Sequence, residues 1–353
     1  MRCAYWACSD MAEHFFTLPD GRAASLYRLR LDDGFGADIS DFGGTLISLY
    51  APDHTGKLRD VVLGWQEPET YLENPGYLGA LVGRIPNRIG GGRFTLDGKI
   101  YQMFLNDNGH CTLHGGFGYS HRLWQVKKHT PQTLELALTS PDGDAGFPGT
   151  LQITAKYKVK AGHILEISFH AVSDALSVVD LTSHAYFNLE GEKCGGCASH
   201  TIQMKAFAHT EVDQFLVPTG KVLPVDGTLF DLRNGRNFQE ILTANPAGFD
   251  DNFILGTTSG ETVLCDAAVV TAADSGIRMR LHTDRPGVQF YMGGFLPGTE
   301  KCGKSGKPYP RHSGFCLETQ CWPDAVNHPE FPSVYITPDR PFSALTRLEF
   351  DTI

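Results

Sequence analysis

The chain has 353 residues, 41% of them hydrophobic and 20% charged, with a formal net charge of -10. A chain of that length and balance buries a sizeable core without disulfides or metal. An acidic surface repels phosphate backbones and anionic lipid, and no block of Lys and Arg offsets it, so neither nucleic acid nor membrane is an expected partner.

Residues 1–12 lack a basic region followed by an apolar core, and Asp10 and Glu13 come early. They read as an N-terminal extension without a secretory signal, ahead of a single domain over residues 13–353. No apolar run approaches the ~18 residues that span a bilayer, and the default location is the cytoplasm. Pro68 to Leu72 predicts a helical turn or two. Residues 83–92 place Arg84, Asn87 and Arg88 among small and apolar neighbours. An Arg there either offers its fork of donors to a polar ligand or pairs with a carboxylate to tie loops together. Arg93 to Met103 reads as a hairpin around Asp97-Gly98, a pair suited to positive φ. His114 precedes Gly115 and Gly116, which add no bulk and permit close approach to a ligand; the plainer alternative is a loop His bonded to backbone.

Leu134, Leu136 and Leu138 recur at every second position, and Leu151, Ile153, Ala155, Tyr157 and Val159 alternate with polar residues. The second run turns at Ala161-Gly162 and continues through Leu165, Ile167, Phe169 and Ala171, which predicts a long hairpin with one wet face. In Ser183-His184-Ala185-Tyr186-Phe187, a strand geometry sets His184 and Tyr186 on one face and Phe187 on the other. His184 is then either a satisfied core histidine or a catalytic one. Cys194 and Cys197 form a CxxC with no second CxxC and no ordered His pair; they read as a Gly-rich turn with two thiols rather than a zinc or redox site. The odd total of nine Cys is no disulfide framework.

Phe238 to Leu242 predicts a second short helix. Asp250 and Asp251 stand between aromatics, so one of them points inward, unless the pair forms a surface Asx turn. Ile277, Met279 and Leu281 make another alternating strand. Glu318 follows an apolar run; it is either a desolvated base with a raised pKa or the partner of an Arg. With 39 Gly and 20 Pro, long helices have little room. The fold class is all-β, a large antiparallel β-sandwich.

Six segments carry a family likeness: GRIPNRIGGGRFTLDGKIYQM from residue 83, HGG at 114–116, SHAYFNLEGE at 183–192, DDNF at 250–253, GVQFYMGGF at 287–295 and CLETQCWPDAVNHPEFPS at 316–333. In order and separation they resemble the aldose 1-epimerase (galactose mutarotase) family, and VVLGWQEPETYL extends the resemblance toward the N-terminus. The resemblance implies an isomerase that interconverts the α and β anomers of free hexoses such as galactose and glucose, on a β-sandwich with an open cleft. It implies Glu318 as general base and His184 as general acid, acting as an imidazolium. Asn87, Arg88, His114, Asp250 and Gln289 are the implied sugar contacts. Proton transfer suffices for such a reaction, so no cofactor and no metal is expected, and the partner is a small sugar bound by a monomer or homodimer. Three departures bear on specificity: the family often has Ala at Pro86, His at Asp251 and Asn at Gly294.

Two rival functions share these residues. A glycoside hydrolase needs two opposed carboxylates, for which Glu318 and Asp250 are the candidates. A non-catalytic sugar-binding protein needs only the contacts; the presence of both proton-transfer residues argues against it. A hexose phosphate substrate is disfavoured by the acidic balance.

Overall fold

In the computed structural model, residues 12–116, 118–256, 264–296 and 301–353 are described. The predicted extension lies outside the described residues except for Ala12, which already pairs with Tyr27.

Alternating apolar residues build three large antiparallel sheets, beside four two-stranded ribbons among the described residues. The first has five strands and runs in sequence order through Ala12–Thr17, Ala23–Arg30, Gly36–Ser40, Leu46–Pro52 and Leu58–Asp60. A nine-stranded sheet has the predicted hairpin at its heart. Leu151–Lys160 pairs with Ile164–Ser173, and the exposed residues of the first strand alternate with buried ones. Beyond it lie Phe342–Thr352 and Ile277–Thr283, so the C-terminal strand is central rather than an edge. The third sheet orders Pro218–Pro224, Ala206–Val212, Asp250–Leu255, Gly287–Tyr291 and Cys316–Gln320.

One hydrophobic cluster joins all three. It takes Ile39 and Leu49 from the first sheet, Ile153, Phe169 and Leu281 from the second, and Phe253, Phe290 and Leu317 from the third. Sheets stacked this way share a core between their inner faces. The expected all-β sandwich is what forms. The two short helices also form where expected, a 3₁₀ turn at Pro68–Leu72 and an α-helix at Phe238–Ala244 capped by the side chain of Asn237. The Asp97-Gly98 hairpin forms with φ of 49° and 72°, the two positive values a tight two-residue turn requires. Cys194 and Cys197 are free thiols in a Gly-rich turn, and they donate to different carbonyls, Glu190 O and His312 O, each at 3.0 Å. Among the described residues no helix is long and apolar enough to cross a membrane.

The register of the third sheet positions the site. Asp250, Tyr291 and Cys316 stand side by side across the strands, and so do Asn252, Gln289 and Glu318 in the next row of that face. The opposite face carries Phe253, Val288, Phe290 and Leu317, all in the core. Period-two alternation therefore makes one face of the sheet a polar floor while the other is core.

Candidate active site

An open cleft of about 580 Å³ lies over that floor. This is within the usual range of small-molecule sites, roughly 300–1,000 Å³. Glu318 and His184 sit at its base, 2% and 5% exposed, with Nε2 of His184 at 3.8 Å from Oε1 of Glu318. Glu318 comes from the sheet. His184 follows the short strand Thr182–Ser183, and its backbone N–H donates to Ala80 O while its own carbonyl accepts from Gly79 N–H. The predicted faces hold: His184 and Tyr186 line the cleft and Phe187 packs in the core.

Burial dominates the electrostatics. It raises the Glu318 carboxyl well above the ordinary range, Asp250 adds to the rise, and Arg88 opposes it. Burial also pushes His184 down to about 4. Both shifts favour the neutral form of the group. A single proton shared by the pair therefore favours Glu318 over His184. The imidazolium that the resemblance implies as the acting acid is thus a form His184 must take up for the reaction, and the sequence does not reveal how completely the ring is desolvated.

His114 is held by a reciprocal pair of bonds. Its backbone N–H donates to Asn87 O at 3.0 Å, and the Asn87 N–H donates to its Nδ1 at 3.1 Å. Both residues have positive φ, 53° and 59°, at the end of the ribbon in which Arg88–Gly90 pairs with Cys111–Leu113. A backbone N–H only donates, so Nδ1 is the accepting nitrogen and the ring proton lies on Nε2. Burial, then His184 and Arg88, keep this ring neutral. His114 thus meets both alternatives raised from sequence: it bonds to backbone and it lines the cleft.

Arg88 likewise does both things expected of it. Its Nε donates to Asp107 at 2.8 Å, and its Nη1 lies 3.7 Å from Asp250, at the cleft wall. Asn87 lines the cleft too, but its side-chain oxygen is taken by the Arg88 N–H at 2.8 Å. Asp250 lines the cleft, whereas Asp251 is beside Phe290 on the core face and burial, then Asp250, pushes its carboxyl up to about 7. Gln289 stands behind Asp250 and donates to it at 2.7 Å without lining the cleft itself. Pro86 and Gly294 do not line the cleft either.

Sequence reasoning missed several neighbours. Tyr77 packs its ring edge-on against His114 at 4.7 Å and tilts toward His184 at 6.0 Å. Tyr291 flanks His184 at 6.2 Å, beside Tyr186 at 5.0 Å, which the sequence had already placed on the His184 face. Asp107 holds Arg88, and nothing in the loop around it marks it out. Cys316 Sγ meets Nδ1 of His184 at 3.6 Å. Its place two residues before Glu318 was the available signal, since alternation puts both on one face.

His114, His184 and Glu318 bring three potential ligand atoms within 4.8 Å of one another, the one such group among the described residues. Two His and a carboxylate suit several divalent metals. The His114 tautomer argues against that use, because a protonated Nε2 offers no lone pair to an ion.

Fold and site together define a class: an antiparallel β-sandwich with a buried carboxyl–imidazole pair under an open polar cleft. Comparison with known proteins makes the class specific. Residues 25–349 match the family model described as aldose 1-epimerase. Galactose mutarotase from Rattus norvegicus is 43% identical over 346 residues, covering 95% of this chain and 97% of that protein. Aldose 1-epimerase from Escherichia coli is 35% identical, covering 94% and 96%. The crystal structure of an aldose epimerase homologue from C. elegans superposes with a TM-score of 0.85 at 28% identity, over 94% of this chain and all of that one. The chain belongs to the aldose 1-epimerase family.

Proposed function

We propose that this protein is a mutarotase that opens and recloses the ring of free hexoses, galactose and glucose among them, by acid–base catalysis. The observation that carries this reading is the buried Glu318–His184 pair at 3.8 Å on the cleft floor. The match to galactose mutarotase over 95% of the chain supports it.

Ring opening removes the proton of the C1 hydroxyl and delivers one to ring O5. Glu318 as carboxylate takes the first, and the C1–O1 bond becomes a carbonyl as the C1–O5 bond breaks. His184 as imidazolium gives the Nε2 proton to O5. The pair then stands as carboxylic acid and neutral imidazole, the distribution that burial favours. The site is thus electrostatically matched to the opened sugar, and a proton shift between the two side chains precedes opening. Rotation about C1–C2 presents the other aldehyde face, and the same groups run in reverse to close the ring. Each positioned transfer is typically worth ~10²–10⁴-fold.

The contacts follow from the geometry. His114 offers its Nε2–H to a sugar oxygen. Arg88 keeps guanidinium donors beyond the one given to Asp107. Asp250 accepts from sugar hydroxyls while Gln289 fixes its angle. Asn87 acts through the Arg88 and His114 backbones it holds. A glycosidase is the weaker reading, because the Asp250 carboxyl is already engaged by Gln289 and Arg88. The proposal includes a cytoplasmic location and a monomer or homodimer.

Polarimetry of freshly dissolved α-galactose and α-glucose tests the activity, with and without protein and with a chelator present. Faster loss of rotation, unaffected by the chelator, is expected. No acceleration of either sugar would refute the reading, and activity restored only by a divalent ion would refute the metal-free mechanism.

A further inference from the structure

His184 has two ring nitrogens, and opening the sugar uses only one of them. Once Nε2 has given its proton to O5, the neutral ring must carry its remaining proton on Nδ1. A buried N–H needs an acceptor. The side chain that meets Nδ1 is Cys316, at 3.6 Å and fully buried. It lies on the same face of the same strand as Glu318, two residues before it, so one strand presents both partners of the imidazole.

We propose that Cys316 is a positioning residue for His184, whose sulfur accepts the Nδ1–H and so reserves Nε2 for the moving proton. This rests on the acid role of His184 in the proposed mutarotation. The choice of a thiol has a chemical consequence. Burial, with Glu318 and Asp250 nearby, keeps Cys316 from ionising. It therefore orients the ring without placing a charge on it. A carboxylate at this position would stabilise the imidazolium and weaken it as an acid toward O5. The other groups facing His184 are Glu318, His114, Tyr77, Tyr186 and Tyr291. Tyr186 donates away from the ring, to Gly76 O, and Tyr291 receives the Phe295 N–H. His114 is locked in its own tautomer by Asn87. None of these tyrosines or histidines substitutes for the sulfur at Nδ1.

Nitrogen NMR of the histidine side chains of the whole protein, read near neutral pH, reports the tautomer without turnover. Wild type is expected to show His184 protonated on Nδ1. Cys316→Ala is expected to lose that preference and to lower kcat about 5–10-fold, the scale of one neutral hydrogen bond, at unchanged KM. Cys316→Ser restores most of both. Cys316→Asp moves the His184 titration up from about 4 by at least ~1 unit. A wild-type ring protonated on Nε2 would overturn the proposal. So would a Cys316→Ala protein that keeps the tautomer and kcat. If the tautomer is as expected but polarimetry shows no mutarotation, the function fails and the Cys316 contact stands.

Discussion

Asp250 and Asp251 differ by one position in the chain and by a whole sheet face in space. The residues alone left one pointing inward or a surface Asx turn, and only the family resemblance singled out Asp250. The strand register sends Asp250 to the row of Tyr291 and Cys316 and Asp251 to the row of Phe290 and Leu317. A carboxylate on the cleft side makes charge-assisted bonds to sugar hydroxyls, worth about 1.5–3 kcal/mol each before desolvation. Asp250→Ala is therefore expected to raise KM at least ~10-fold, about 1.4 kcal/mol. Asp251→Ala is expected to do clearly less at equal melting temperature. The reverse order, measured by polarimetric kinetics on both variants, would assign the contact to Asp251. At this scale Glu318 and His184 were legible as alternatives and through the family resemblance. Gln289 was legible only as a contact, because its place behind Asp250 depends on pairing between distant strands. Asp107 was not legible, since a lone Asp in a polar loop carries no periodic signal.

Strands and turns were the most readable level. Leu151–Lys160 alternates buried and wetter residues throughout, and an alternation that long leaves little choice of structure. The strand Cys316–Gln320 is the opposite case. All five of its residues are buried, so burial itself does not alternate; only the chemistry of its two faces does. A turn prediction belongs here. Gly115 has φ +73°, and a Cβ there would meet the Gly83 carbonyl oxygen at 2.2 Å. Gly98 has φ +72° with open space around it. Gly115→Ala is expected to cost roughly 1–3 kcal/mol of strain and to cut kcat/KM by shifting His114. Gly98→Ala has only the backbone penalty, about 1–2 kcal/mol, and leaves kinetics unchanged. Thermal melts paired with polarimetry separate the two. Equal kinetic loss in both would show that the His114 turn is not what matters.

For the molecule as a whole, the sandwich class was legible from Gly and Pro punctuation and period two, whereas the strand order was not. That Phe342–Thr352 fills the middle of the nine-stranded sheet follows from pairing between residues far apart in the chain, as in Leu165 with Leu348. The floor of the cleft is buried, and burial sets the chemistry. It raises Glu318, lowers His184 to about 4 and leaves one proton for the pair to share. In kcat/KM, which reports the free enzyme, activity should fall as pH drops through about 4. There His184 takes a second proton and the base is blocked. Activity should fall again as pH rises through the raised Glu318 titration, where the shared proton is lost. These limbs belong to the coupled pair. The central claim is that this pair performs the proton transfers. The most direct test is the polarimetric pH profile of kcat/KM for wild type and for Glu318→Gln at matched melting temperature. The account predicts a two-limbed wild-type profile with its acid limb near pH 4, and a variant at least ~100-fold slower across the plateau. A folded Glu318→Gln protein that kept more than a third of the wild-type rate would contradict it.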